Sequence, residues 1–159
     1  MLVTTPQPET LTELKLTLLK EMIDHAYVPN DHPVMVAHVE ADGSPRMTFR
    51  GSTHVRNDEQ LAFWVRHADG GLAAALAKEP RLFVVYREPT PGGGPSVAVV
   101  NMRGRGHVVS DASIRDEVWA AIPQQERDGD KEKLGSAVVV DVDSVAGYCP
   151  GYRLNMKRG

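Results

Sequence analysis

Pro33 to Arg66 reads PVMVAHVEADGSPRMTFRGSTHVRNDEQLAFWVR and carries the clearest pattern in the chain. Three apolar runs, Val34–Val39, Met47–Phe49 and Leu61–Val65, are separated by two polar links. The first link contains Asp42-Gly43, a dipeptide that readily takes positive φ and closes a tight hairpin. A strand sends successive side chains to opposite faces. Met47 and Phe49 therefore share one face, and Arg46, Thr48, Arg50 and Ser52 share the other. In the third run Leu61, Phe63 and Val65 share one face while Ala62, Trp64 and Arg66 share the second. A meander with one apolar face and one face of guanidiniums, hydroxyls and an indole predicts a small barrel whose polar face binds a flat or anionic ligand.

The rest of the composition narrows the setting. The 159 residues suit one domain, 1–159, with residues 1–8 a loose arm and residues 143–159 a C-terminal tail. A hydrophobic fraction of 42% and a charged fraction of 25% are those of an ordinary globular chain. The formal net charge of −3 gives no general attraction to nucleic acid. Cys149 is the single cysteine, so no internal disulfide forms and a reducing compartment is allowed. No apolar run approaches the ~20 residues of a membrane span, and MLVTTPQPET has no secretory pattern. A cytoplasmic protein without membrane contact is expected.

Outside the meander, Thr10-Leu11-Thr12-Glu13 fits a capping box. Leu11, Leu14, Leu18, Leu19, Met22 and Ile23 follow at helical spacing, predicting a helix that plugs one end of the barrel and stops before Pro29. After the meander, Asp69 is a candidate N-cap for the short helix LAAALAKE, which Pro80 ends. Leu82–Tyr86 reads as a buried strand and Thr90–Pro95 as an exposed hairpin connection. Val97–Val109 makes one long strand or two short ones, with irregularity expected near Gly104 and Gly106. Asp111–Ile122 is helical, Gln124–Gly135 a mobile charged loop, and Ala137–Val142 the last strand, with Asp141-Val142-Asp143 a solvated strand end. The expectation is five to seven strands and three helices in a mainly β, antiparallel, Greek-key split barrel with flanking helices.

Few catalytic signatures survive inspection. The six histidines show no close metal-ligand pairing, and His38, alone in an apolar strand, reads as a hydrogen-bonded core or interface residue. Gly92-Gly93-Gly94 lacks the lysine and helix of a phosphate loop, and Gly104-Arg105-Gly106 precedes valines rather than a helix. Arg46, Arg50 and Arg66, interleaved with Thr48, Ser52 and Trp64, are different. A guanidinium grips phosphate with a planar fork of charge-assisted donors, and Trp64 offers a ring to lie against a flavin or base.

PVMVAHVEADGSPRMTFRG, LAFWVR, LAAALAKEPRLFVVY and VNMRGRGHVVSD, in that order, resemble successive strands of the pyridoxamine 5′-phosphate oxidase-like, FMN-binding split barrels. The similarity spans about Pro33 to Trp119, with Ala137–Val142 fitting a last barrel strand. It implies FMN held at a homodimer interface by Arg46, Met47 and Thr48 from one strand and by Trp64, Val65 and Arg66 from the next. Where members of the family have a Ser-Arg-Lys-like grip, this chain has Asp69-Gly70-Gly71-Leu72. Arg50, Gly70 and Gly71 are then the further candidate contacts, the glycines through helix N-terminal amides. The resemblance implies an oxidoreductase with a small-molecule substrate and a nicotinamide electron donor. Relatives using a deazaflavin or haem, and a non-catalytic ligand-binding barrel, are the alternative readings.

Overall fold

The computed structural model describes residues 4–66 and 71–159. Nine strands appear among them: β1 Glu9–Glu13, β2 Met35–Val39, β3 Pro45–Phe49, β4 His54–Asn57, β5 Gln60–Val65, β6 Arg81–Glu88, β7 Ala98–Val108, β8 Ser136–Cys149 and β9 Tyr152–Lys157. Four helices accompany them: α1 Lys20–Asp24, entered by a 3₁₀ turn over Leu16–Leu19, α2 Leu72–Lys78, α3 Ala112–Ala121 and α4 Gln124–Asp128. The sheet runs β1-β9-β8-β7-β6-β2-β3, and β5 joins it on β8 and carries β4. Every pairing is antiparallel except β1 with β9.

The long strand β8 sets this arrangement. One edge lies along β7 from Val99↔Tyr148 to Val108↔Val138. Its other edge is shared: Ser136–Asp141 pairs with β5, and Ser144–Cys149 pairs with β9. The β7 register slips between Arg103 and Gly104, where a Cβ would stand 2.5 Å from the Asp141 carbonyl oxygen. Only glycine permits that approach, and β7 stays one strand through the irregularity.

The barrel interior is filled by inward residues of every strand but β3, among them Val36, Leu61, Phe63, Val84, Tyr86, Met102, Val140 and Met156, and is plugged by Leu16, Leu19 and Ile23. A second cluster lies outside β5 and β8, where α3 lays Val118 and Ile122 on Ala62, Trp64, Ala137 and Val139. Asp111 caps α3 by accepting the Ile114 N–H at 3.0 Å.

Several elements depart from the sequence reading. The segment read as a capping box is β1, because Glu9, Thr10 and Leu11 find backbone partners on β9 at Tyr152, Arg153 and Leu154. The plugging helix therefore begins only at Leu16, and Leu18 is exposed. Asp141-Val142-Asp143 lies inside β8 rather than at a strand end, and residues 143–159 are the end of β8 plus β9 rather than a tail. Gln124–Gly135, read as a mobile loop, contains α4 and a turn built on Asp130. Asp69, the candidate N-cap of α2, lies outside the described residues, and Gly71 precedes the helix with φ +81°.

Asp130 ties that last segment to the sheet. It accepts from Trp64 Nε1 at 2.9 Å, Gly135 N at 2.8 Å and Leu134 N at 3.0 Å. Burial alone would raise its pKa, but these three donors and Arg115 outweigh burial and hold it below the usual aspartate value. A depressed carboxyl adds stability that is present above the unfolded pKa, about 3.9, and lost as pH falls through the folded one. Asp130→Asn is expected to lower stability at pH 7 by about 1–3 kcal/mol. Its deficit should narrow below about pH 4, measured by urea melts of both proteins across pH. A deficit independent of pH would contradict this role.

Candidate functional site

A cleft of about 730 Å³ opens where the end of β3, the end of β5, the start of α2 and α4 meet. Arg46, Arg50 and Arg66 all line it, with Trp64, Val65 and Gly71 from the sequence-based candidates. Met47 and Thr48 do not line it. Gly70 lies outside the described residues.

The arginines reach the cleft for a reason that alternation alone could not supply. In register, His38 faces Arg46 and Val36 faces Thr48, and both His38 and Val36 are buried. Arg46 and Thr48 therefore project to the barrel side of the sheet. Met47 and Phe49 project outward and are 63% and 69% exposed. The alternation holds, with the apolar face turned to solvent. β3 is an edge strand paired only with β2, so its inner face overlooks the cleft instead of packing on a core.

Arg50 follows β3 and is fixed there by its N–H donating to Val34 O at 2.7 Å. Its guanidinium carbon lies 5.5 Å from the Phe63 ring centroid. The side chain is half-buried and its Nε is buried without a hydrogen-bond partner. Burial, then the neighbouring Arg46, lowers its pKa. Arg46 is 3.1 Å from Glu40, and Arg66 is 3.2 Å from Glu126. Among the described residues Arg50 has no carboxylate within ion-pair distance.

Two more buried polar atoms on this side lack partners, His38 Nδ1 and Thr48 Oγ1. His38 is buried, as a core or interface residue would be, but its Nδ1 does not make the hydrogen bond expected of it. It is 8% exposed, and burial followed by Arg50 lowers its pKa, so its imidazole is neutral at pH 7. Buried polar groups are normally paired, since leaving one unpaired costs about 1–3 kcal/mol. Three such atoms lie on one side of β2 and β3, two of them on cleft-lining residues.

Trp64 does not provide the expected platform. Its ring is buried, edge to Trp119 at 4.8 Å between centroids, and its Nε1 donates to Asp130. The second face of β5 is covered by α3 rather than wet. Ser52 is likewise committed, exchanging hydrogen bonds with the Trp64 backbone. Nor are the arginine strands neighbours, because β4 stands between β3 and β5 in the chain and β5 pairs with β4 and β8. Phe49 is the aromatic side chain exposed at the rim of the cleft. The residues that sequence reasoning missed are His38 and Glu126 above all. His38 carried a weak signal as a lone polar residue in an apolar run; Glu126 carried none within a charged segment.

No group of three or more His, Cys, Asp or Glu side chains able to hold a metal occurs among the described residues. No helix among them is long and apolar enough to cross a membrane.

No protein-family model matches the chain, and no curated protein is similar to it in sequence. Solved structures are similar in fold. HupZ of Group A Streptococcus superposes with a TM-score of 0.61 at 15% identity, over 86% of this chain and 96% of that one. An FMN-binding protein from Syntrophomonas wolfei gives 0.60 at 10% identity, over 82% and 86%. A Clostridium acetobutylicum protein of the pyridoxinephosphate oxidase family, related to a general stress protein of B. subtilis, gives 0.56 at 13% identity, over 78% and 84%. At such identities the likeness is one of architecture: this chain has the split-barrel fold of the pyridoxamine 5′-phosphate oxidase-like proteins.

Proposed function

We propose that the chain binds FMN in the arginine-lined cleft and acts as a flavin-dependent oxidoreductase on a small-molecule substrate. The observation that carries this reading is Arg50, a half-buried guanidinium that has, among the described residues, an unpaired Nε and no carboxylate partner, in a cleft shared with Arg46 and Arg66. The cleft volume of about 730 Å³ falls within the range of roughly 300–1,000 Å³ usual for small-ligand sites. An FMN-binding protein among the structures of similar fold supports the choice of flavin. Arg50 would hold the phosphate, with Arg46 and Arg66 joining as their carboxylates yield. His38, also in the lining, would offer a further polar contact beside it. FMN, when bound, supplies the electron transfer, with a nicotinamide as the proposed donor. The protein contributes position and electrostatics.

A homodimer belongs to the same proposal. In register, Met35, Ala37, Met47, Phe49, Phe83 and Val85 share the outer face of β3, β2 and β6. Met47, Phe49 and Phe83 are large and exposed there. A contiguous apolar face of this kind favours a partner surface, and closed two-fold assembly is its commonest form.

Two measurements test the reading. In fluorescence titrations, Arg50→Met is expected to weaken FMN binding about ten- to a hundredfold, the worth of a charge-assisted bond of roughly 1.5–3 kcal/mol. Riboflavin, which lacks the phosphate, should bind both proteins alike. Equal losses for the two flavins would place Arg50 under the ring or the fold instead. In sedimentation velocity the wild type is expected to run as a dimer at micromolar concentration, and Phe83→Asp to shift it toward monomer. A wild-type monomer at that concentration would refute the assembly.

A further inference from the structure

The cleft is not purely cationic, and one of its acidic residues is unusually placed. Glu126 comes from α4, a helix of only five residues, yet its side chain is 11% exposed. Its Oε2 lies 3.2 Å from Arg66 Nη2. Its Oε1 rests against Gly51, where a Cβ would be 2.8 Å away. Gly51 directly follows Arg50, so the carboxylate spans from the end of β3 to the end of β5, within the lining that holds both guanidiniums. The chain after α4 completes the enclosure, since a Cβ at Gly129 would stand 2.5 Å from the Arg66 guanidinium carbon. Glu126 thus sits in the place where an anionic group of a ligand would meet Arg66.

The other two carboxylates among the described lining residues act differently. Glu40 and Arg46 form an exposed pair, which water and salt screen and which contributes little. Asp42 accepts the Ser44 N–H within the β2–β3 hairpin. The enclosed Glu126 is poorly screened, so its charge weighs on any ligand that enters.

We infer that Glu126 is a specificity-determining residue, a resident counter-ion that must release Arg66 when a phosphate-bearing ligand enters and that sets how strongly the cleft prefers such a ligand to a neutral one. The choice of FMN as ligand rests on the function proposed above. A phosphate monoester carries up to two negative charges against the single charge of the carboxylate, so exchange at Arg66 trades one ion pair for a stronger one. A neutral ligand gains nothing from that exchange. Removing the carboxylate charge while keeping its shape frees Arg66 in advance.

The test is Glu126→Gln, titrated with FMN and riboflavin by fluorescence and with inorganic pyrophosphate by thermal shift. FMN binding is expected to tighten about tenfold, as one charge-assisted contact is gained without displacement, and riboflavin binding to stay as in the wild type. Pyrophosphate should raise the melting temperature of the variant more than that of the wild type. Unchanged or weaker FMN binding beside a wild type that binds FMN would overturn the inference and leave Glu126 a tether for α4. If neither protein binds either flavin, the flavin reading fails, and pyrophosphate still decides: a larger shift in the variant upholds the inference, equal shifts overturn it. Should Glu126→Gln not fold, Glu126→Asp draws the carboxylate back by one methylene and is expected to give a smaller gain of the same kind; no gain overturns the inference.

Discussion

Fourteen consecutive residues of β8 need hydrogen-bond partners along two edges, and no single neighbour supplies one of those edges in full. β7 lines one edge from Val138 to Tyr148, at the cost of a slip at Gly104. On the other edge β5 serves the first half and β9 the second, with a change of partner near Asp143. Two strands sharing one edge must diverge beyond it, so the sheet splits there instead of closing. Glycines permit the crowding this creates. At Gly147, with φ +127°, a Cβ would stand 2.0 Å from the Val99 carbonyl oxygen. The backbone accounting of β8 thus shapes the whole molecule.

The split also positions the cleft. β5 leaves β8 after Val65 and delivers Arg66 at its end, while β3, paired only with β2, delivers Arg50 at its own. α4 then brings Glu126 between them. A fully closed barrel would place these ends against a neighbouring strand and bury the guanidiniums at a prohibitive cost. Here both stay half in water, Arg50 over Phe63 and beside a neutral His38, Arg66 against Glu126. This mixture of charge and partial burial suits the anion-binding role proposed for the cleft.

Periodicity showed three strands of the meander, their alternation and the three arginines; it missed β4, and the arginines line one cleft although β3 and β5 are not the adjacent strands expected. It could not show which face of β3 looks inward. Alternation fixes the period of a strand, while the side is decided by what covers it; β3 has a cleft on one side and an apolar outer surface on the other. Trp64 was misread for the same reason, because α3 arrives from more than forty residues away to cover it. β1 and β9 escaped notice because their stability comes from pairing with each other and with β8 rather than from their own composition. Glu126 was invisible among the charges of Gln124–Gly135, since only the fold carries it to Arg66. The split-barrel architecture itself was legible through the resemblance, whose order of segments survives where motif-level identity does not.

The proposed function turns on whether this cleft holds a phosphate-bearing flavin. The most direct measurement is the visible absorption spectrum of the protein after incubation with FMN and removal of free ligand by gel filtration. One FMN is expected to be retained per chain, with flavin bands displaced from those of free FMN by the protein environment. A protein that emerges colourless, or that retains riboflavin as readily as FMN, would contradict it.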